Sequence, residues 1–370
     1  MKPNKPISSF LRNYRNPRGS FRKMARSKRK NTFGISVEPS WAIDYCVRLG
    51  ILAEELVFSN VWVPDGGPQP PYSDSVVTLT ALASRTRSIK LGSAIFNFYT
   101  RNPAWIASSF AAISDLASHG RRRRASRERM VLGIGIGSGY NVSKFGIQKR
   151  SGTISNLREA IESIRELFVG KQVTVRTDAF SIESVSIGKL ERKIPIYIGA
   201  AGPKALRLAG EIADGVILTD RVPADLPNKL RPIELGLGDS SRRRRDIEIV
   251  NSVVISVDEN GRRARDAART SCAYLVAWME DSKAAVLGLD VEKKAKIVRF
   301  LNAGDEHSAA RIVDEKMVTT LTISGTKEEC VERCREHLEY DIDQIVFCEP
   351  FGPQPEKSLR IIAKEVIPKI

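Results

Sequence analysis

Two short loops rich in glycine and alanine carry the strongest chemical signal in the sequence. Gly133–Asn141 ends one apolar run, and Gly199–Pro203 ends the next. Glycine lets the backbone approach a ligand closely and leaves N–H groups free to face an anion. Pro203 suits the first turn of a helix, so the second loop also places a helix N-terminus at the same point. The two loops predict a site for a phosphate-bearing ligand, with a tight structural turn as the alternative for Gly133–Asn141.

Side chains that could perform catalysis without a cofactor are scarce. The three histidines, His119, His307 and His337, lack the spacing of metal ligands, and no Ser-His-Asp arrangement can be assembled. Cys330 and Cys334 are four apart on an amphipathic helix, where core packing is the better interpretation of Cys334. The sequence therefore predicts no metal site and favours chemistry carried by an organic cofactor.

Apolar runs that alternate with amphipathic helices must position these loops. The runs are largely apolar throughout, as is typical of strands buried on both faces of a parallel sheet. Eight alternations indicate a closed (β/α)8 TIM barrel of the α/β class more readily than an open sheet. A capping box at Thr326 and Glu329 opens one of the helices. The predicted strands are Phe33–Val37, Asn60–Val63, Ile89–Ile95, Met130–Ile136, Ile194–Ile198, Gly215–Leu218, Ile247–Ile255 and Gln344–Phe347.

Two stretches depart from the repeat. Residues 170–190 are typical of a hairpin, and residues 262–315 form a long, mainly helical insertion. Neither resembles a second domain. We therefore expect one barrel domain with insertions over residues 32–370, preceded by a basic tail over residues 1–31.

The tail explains most of the net charge of +16. Residues 1–31 contain eleven Lys and Arg and no acidic residue, which leaves a net charge of +5 on the remainder. This composition predicts a disordered, solvated extension. A contact arm for nucleic acid or an anionic membrane is the alternative. Two runs of four arginines, Arg121–Arg124 and Arg242–Arg245, are expected to be exposed loop insertions.

Composition also limits the cellular setting. The chain has no apolar run of 18 residues and no signal peptide, so we expect no membrane span. Its five cysteines are odd in number and scattered, which argues against a disulfide framework. We therefore expect a cytoplasmic protein.

Read together, the loops form an ordered set that resembles the bacterial-luciferase-like barrel superfamily. Within it, the sequence looks most like the coenzyme F420-dependent 5,10-methylenetetrahydromethanopterin reductases. The resemblance runs from about Thr32 to Ile370. The motifs that carry it are Asn97–Pro103, Leu132–Gly137, Ile194–Pro203 with Ala209–Gly215, and Pro350–Pro353.

The resemblance implies where coenzyme F420 is held. Main-chain amides of Gly199, Ala200, Ala201 and Gly202 would bind its phosphate. The neighbouring loop would assist through Gly137, Ser138 and Asn141. The bulge at Ser93, Ala94 and Ile95, followed by Asn97, would support the deazaflavin ring, with a non-prolyl cis peptide at Ala94–Ile95.

The resemblance also implies two catalytic candidates, Glu38 and Asp65. Asp65 would face the polar edge of the ring, although it is equally interpretable as a turn residue before Gly66. The reductases usually carry Glu at the position of Ser36, and strand periodicity keeps Glu38 on the same face, one step nearer the barrel mouth. A family His is replaced by Gly66 and a family Gly by Ala94.

The expected activity is hydride transfer from reduced deazaflavin to methylene-tetrahydromethanopterin or a related one-carbon carrier, by a homo-oligomer. One alternative is a luciferase-like oxidoreductase that uses F420 or flavin mononucleotide on another substrate. The other is a non-catalytic barrel associated with nucleic acid or membrane. Absorbance of the protein with each cofactor discriminates the first two, and the salt dependence of nucleic-acid binding tests the last.

Removal of residues 1–31 should leave folding and turnover nearly unchanged, because the tail has little apolar surface to contribute to a core. Melting temperature and activity of the truncated protein, compared with those of the full chain, check this expectation. Loss of soluble protein on truncation would contradict it.

Overall fold

The computed structural model describes residues 31–38, 40–66, 74–118, 128–137, 145–147, 153–219 and 222–370. Residues 1–30 of the tail, His119, the run Arg121–Arg124, Ser138 and Asn141 lie outside these ranges. Asn31 is the first described residue, and its amide donates to the backbone carbonyl of Ile342 at 2.7 Å. This contact ties the start of the described chain to the loop before the last strand.

Eight parallel strands close into a barrel, which confirms the predicted fold class. Each pairs with the next along the chain, the seventh pairs with the eighth, and the eighth pairs with the first, so that the ring has no free edge. The barrel strands are β1 Thr32–Ser36, β2 Asn60–Val63, β3 Lys90–Ser93, β5 Met130–Gly135, β8 Ile196–Gly199, β9 Gly215–Leu218, β10 Glu248–Val257 and β12 Gln344–Phe351.

In the described ranges, four further strands lie outside the ring. The predicted run Ile89–Ile95 divides into β3 and a short strand β4, Phe96–Asn97, which pairs with β5 beyond a bulge. The predicted hairpin is present as β6 Val173–Arg176 and β7 Ser181–Val185. Strand β11, Ile323–Gly325, extends the sheet beside the end of β10.

Helices cover the outside of the barrel and form the predicted insertion. The described α-helices are α1 Ile43–Glu55, α2 Ser75–Arg85, α3 Pro103–Ser118, α4 Thr153–Phe168, α5 Pro203–Ile212, α6 Leu226–Asp239, α7 Gly261–Ala267, α8 Arg269–Trp278, α9 Asp281–Val286, α10 Val291–Asn302, α11 Glu306–Ile312, α12 Glu315–Leu321, α13 Lys327–Leu338 and α14 Pro355–Ile361. A π-helical turn at Ile362–Val366 continues α14. None of the helices in the described ranges combines the length and the hydropathy needed to cross a bilayer.

Helices α7–α12 make up the insertion, which has a core of its own. Buried members of this core include Leu275, Ile297 and Met317, and it contacts the barrel through Val254 of β10 and Cys348 of β12. The insertion therefore packs against the barrel next to β10 and β12.

Large rings fill the barrel interior where neighbouring strands carry glycine. A Cβ atom at Gly92 would lie 2.5 Å from the Trp62 ring, and one at Gly215 would lie 2.6 Å from the Tyr197 ring. The Trp62 indole donates to the Gln344 carbonyl oxygen at 2.9 Å, so its buried polar atom is paired. The interior cluster consists of Trp62, Val131, Tyr197, Ile217, Val250 and Val346.

The helix predicted to begin with a capping box does so. The Thr326 side chain accepts from the Glu329 amide, and the Glu329 carboxylate accepts from the Thr326 amide. Cys330 and Cys334 are both fully buried, which confirms core packing for Cys334. All five cysteines lie in the described ranges, and none of them forms a disulfide bond.

The expectation that Arg242–Arg245 is an exposed insertion is wrong for two of its arginines. Arg242 donates to the carbonyls of Gly210 and Ala213. Arg244 is 10% exposed and forms ion pairs with Asp341 and Asp343, both at 2.7 Å. These residues close the base of the barrel, because the carboxylate of Asp343 also accepts from the Ile249 amide of β10.

Arg244→Leu should destabilise the fold by about 3 kcal/mol, because it leaves the buried Asp343 carboxylate without its counter-charge. Arg245→Leu is the matched control, since the Arg245 side chain is 71% exposed. Chemical unfolding of both variants measures the difference. Equal stability of the two variants would show that the Arg244 ion pairs contribute nothing.

Candidate active site

The bulge between β3 and β4 rests on glycines of two neighbouring strands. A Cβ atom at Gly133 would overlap the carbonyl oxygen of Ser93. One at Gly135 would lie 3.0 Å from the Ile95 side chain, and one at Gly199 only 2.7 Å from it. The glycines of β5 therefore serve close packing of the bulge, which gives a structural reason for much of the glycine-rich motif.

The bulge has the backbone geometry that the resemblance implies. The peptide bond between Ala94 and Ile95 is cis. The Ser93 hydroxyl donates to the Gly133 carbonyl at 2.8 Å and accepts from the Gly133 amide at 3.0 Å, which joins the end of β3 to β5. Ala94 and Ile95 are partly exposed above the interior cluster. They form a floor at the carboxyl end of the barrel.

The N-terminus of α5 faces the same end of the barrel. Gly202 is its N-cap residue, Pro203 follows in the first turn, and no side chain caps the helix. A Cβ atom at Gly202 would have no described atom within 4 Å, and the φ angle of −88° suits any residue. Gly202 is thus not required by the packing of the described chain, and an uncapped helix start fits a phosphate.

Other groups around this loop have contacts of their own. The Ala200 amide donates to the carbonyl of Ile217 at 3.2 Å, so it belongs to the sheet. Lys229 of α6 donates to the Ala201 carbonyl at 2.7 Å. The sequence analysis missed Lys229, which lies outside any motif and meets the loop only through the packing of α6 on α5. The positive charge of Lys229 adds to the partial positive charge at the N-terminus of α5.

The second predicted phosphate loop is described only at its start. Gly137 has a φ angle of 65°, a conformation that favours glycine. Ser138 and Asn141 lie outside the described residues.

Asp65, at the end of β2, is held by a cation. Its carboxylate accepts from Arg101 at 2.9 Å and from the Ser75 hydroxyl at 3.1 Å. Arg101 also pairs with Asp74 at 2.8 Å. The Asn97 side chain accepts from the amides of the two residues before Arg101 and so shapes this turn. The Asp65 carboxylate is therefore buried and paired with a guanidinium group.

Glu38 lies in the opposite electrostatic environment. It is partly buried after β1, and burial together with the charge of Glu349 raises its pKa to about 8. Burial and the charge of Glu306 raise the pKa of Glu349 to about 7. Ser36, the position where the reductases usually carry Glu, is buried. The sequence analysis missed Glu349, although an acidic residue just after the predicted strand Gln344–Phe347 was a usable signal.

The parallel strands bring these groups to one end of the barrel. The bulge presents an apolar surface, α5 begins without a side-chain cap next to Lys229, and Glu38 and Glu349 have raised pKa values. These residues fit a coenzyme that has a planar ring and a phosphate. The arrangement can position a hydride donor between the bulge and a second substrate.

Comparison with known proteins agrees with this geometry. Residues 29–343 match the model of the luciferase-like monooxygenase family. The chain is 32% identical to the 5,10-methylenetetrahydromethanopterin reductase of Methanolobus tindarius, over 91% of this chain and 99% of the relative. It is 34% identical to the enzyme of the same name from Archaeoglobus fulgidus, with the same coverage.

A solved structure gives the same result. The coenzyme F420-dependent tetrahydromethanopterin reductase of Methanopyrus kandleri superposes with a TM-score of 0.83 at 27% identity. The match covers 92% of this chain and 99% of that one. The chain therefore belongs to the luciferase-like family and, within it, to the group of the 5,10-methylenetetrahydromethanopterin reductases.

Proposed function

We propose that this protein transfers hydride between reduced coenzyme F420 and methylene-tetrahydromethanopterin or a closely related one-carbon carrier. One observation carries the proposal: the Ala94–Ile95 bulge and the open N-terminus of α5 lie at one end of a barrel. That pairing fits a planar ring joined to a phosphate. When bound, the coenzyme supplies the hydride, and the protein supplies position and electrostatics.

The open helix start supports the proposed coenzyme site. Amides of Gly199, Ala201 and Gly202, with Gly137, Ser138 and Asn141, bind the phosphate, and Lys229 adds a positive charge. The Ala200 amide takes no part, because it donates to the Ile217 carbonyl. Ser93, Ala94 and Ile95 support one face of the ring, so that the other face is left for the substrate. Asn97 acts indirectly, through the turn that presents Arg101.

The two proposed catalytic carboxyls differ in their partners. Asp65 is paired with Arg101 and orients the polar edge of the ring. Glu38 holds a proton at neutral pH because its pKa is raised. A protonated carboxyl beside the acceptor can donate a proton to a nitrogen of the substrate.

The residue at position 36 bears on the identity of the substrate. Ser36 stands at the position where the family usually carries Glu. The proposed acid at the barrel mouth is instead Glu38, two residues further along the chain. This difference favours, as the second candidate, another luciferase-like oxidoreductase that uses F420 on an alcohol or sugar.

We also propose that the protein is a homo-oligomer. Trp105 of α3 is 72% exposed and Val77 of the adjacent α2 is 50% exposed. A second copy of the chain would remove this apolar surface from water. Sedimentation of the purified protein measures the state.

The protein should bind coenzyme F420 more tightly than flavin mononucleotide, and should oxidise reduced F420 when methylene-tetrahydromethanopterin is added. Calorimetry measures the two affinities, and the absorbance of the deazaflavin follows turnover. Tighter binding of flavin mononucleotide would move the chain to a flavin-dependent branch. Turnover with a sugar phosphate or alcohol alone would support the second candidate.

Gly202→Val should weaken F420 binding about 10- to 150-fold, because the branched side chain takes the place of phosphate oxygens and one charge-assisted contact is lost. The melting temperature should not change, since a side chain at position 202 meets no described atom. Gly188→Val is the matched control, because Gly188 is also open and lies in the loop before β8. Unchanged affinity in Gly202→Val would refute the phosphate site.

A further inference from the structure

Glu38 and Glu349 follow the carboxyl ends of neighbouring strands. Strands β1 and β12 pair in parallel with Ile35 opposite Phe347. The paired register ends there, so Glu349 lies two residues beyond the last pair on β12 and Glu38 three residues beyond it on the chain that leaves β1. The two carboxyl groups therefore belong to the same part of the barrel mouth.

A bulge in β12 lifts Glu349 out of the strand ladder. Val254 of β10 pairs with Cys348, and Ser256 pairs with Phe351. The single residue Ile255 thus lies opposite two residues of β12, Glu349 and Pro350. Bulges of this kind turn a side chain away from its regular direction. Phe351, with a φ angle of 64°, ends the bulge.

No cation neutralises either carboxyl group among the described residues. Asp65 at the neighbouring strand end shows the contrast, because Arg101 pairs with it at 2.9 Å. The charged groups that raise the pKa values of Glu38 and Glu349 are themselves acidic. From α11 comes Glu306, whose carboxylate accepts from the Tyr274 hydroxyl at 2.6 Å. From α1 comes the Cys46 thiol, which donates to the Glu38 carbonyl at 3.3 Å.

Two partly buried carboxylates without a counter-ion cannot both be ionised at low cost. Their mutual repulsion and burial raise both pKa values, so the pair retains a proton at neutral pH. Cys46 responds in the same way: burial and the charge of Glu38 raise the pKa of its thiol to about 12.

We propose that Glu38 and Glu349 share one proton at the barrel mouth, and that Glu349 is the positioning residue that keeps this proton available to the substrate. The assignment rests on the proposed function. Glu349 acts through Glu38, which lies on the strand end beside the predicted acceptor.

The shared proton balances the reaction. As the methylene carbon gains a hydride with its electron pair, one of its two C–N bonds breaks, and the nitrogen released takes a proton. The carboxyl pair supplies that proton. It is reprotonated from water, which also receives the proton that the reduced coenzyme loses on oxidation.

The test is a titration of the ligand-free protein with carbon-labelled glutamate, followed by NMR. In the native protein the pair should take up one proton near neutral pH. In Glu349→Gln the midpoint of Glu38 should move to lower pH, because the neighbouring negative charge is gone. Glu356→Gln, which removes an exposed carboxylate from α14, should leave Glu38 unchanged. A Glu38 midpoint that is the same in all three proteins would overturn the proposal.

Thermal stability gives a second readout that needs no ligand. A carboxyl group whose pKa is raised on folding binds more protons in the folded state, so its contribution to stability is lost as pH rises through the folded pKa. Native stability should therefore fall between about pH 4.5 and pH 8 through this pair. In Glu349→Gln that fall should be smaller. An unchanged stability profile would count against the shared proton.

Activity then separates the two proposals. In Glu349→Gln, kcat should decline at lower pH than in the native enzyme, with about a tenfold loss for each pH unit of displacement, and KM should stay the same. A shifted titration with no reductase activity in either protein would refute the proposed function and leave the shared proton supported. Normal activity with an unshifted pH profile would refute the role of Glu349.

Discussion

The contact between the Ser93–Ile95 bulge and the glycines beneath it sets the geometry of the barrel mouth. The Ser93 carbonyl occupies the space that a Cβ atom of Gly133 would fill, and Ile95 lies against Gly135 and Gly199. Because protein interiors are close-packed, adding a methyl group at any of these glycines would lift the bulge. The position of the bulge relative to the N-terminus of α5 therefore depends on glycine at these three positions.

Electrostatics divides the mouth into two sides. The loop before α5, with Lys229, is positive, because the helix dipole and an ammonium group act together. The opposite side, formed by Glu38 and Glu349 with Glu306 nearby, is acidic and partly protonated. In the proposed function, this division would orient the coenzyme with its phosphate toward α5 and the substrate nitrogen toward β1 and β12.

The strands and the capped helix could be predicted from the sequence, because apolar runs mark the segments that are buried in the folded protein. Each of the eight predicted strands is present, and the capping box begins α13 where expected. The packing role of Gly133 and Gly135 could not be predicted from the sequence. A glycine that makes room for a ligand and a glycine that makes room for a neighbouring strand have the same sequence signature. The partners of Asp65, Arg244 and Glu38 were missed for a related reason. Arg101, Asp343 and Glu349 lie far from them along the chain, and only strand register brings them together.

The helical insertion has a hydrophobic core separate from that of the barrel, and this core includes Val254 of β10 and packs against Cys348 of β12. Such a unit can open as a local cooperative event at a lower free energy than global unfolding. Glu306 belongs to this unit, and opening would carry its charge away and admit water to the carboxyl pair. The proton affinity of the carboxyl pair would therefore depend on whether the insertion is docked on the barrel.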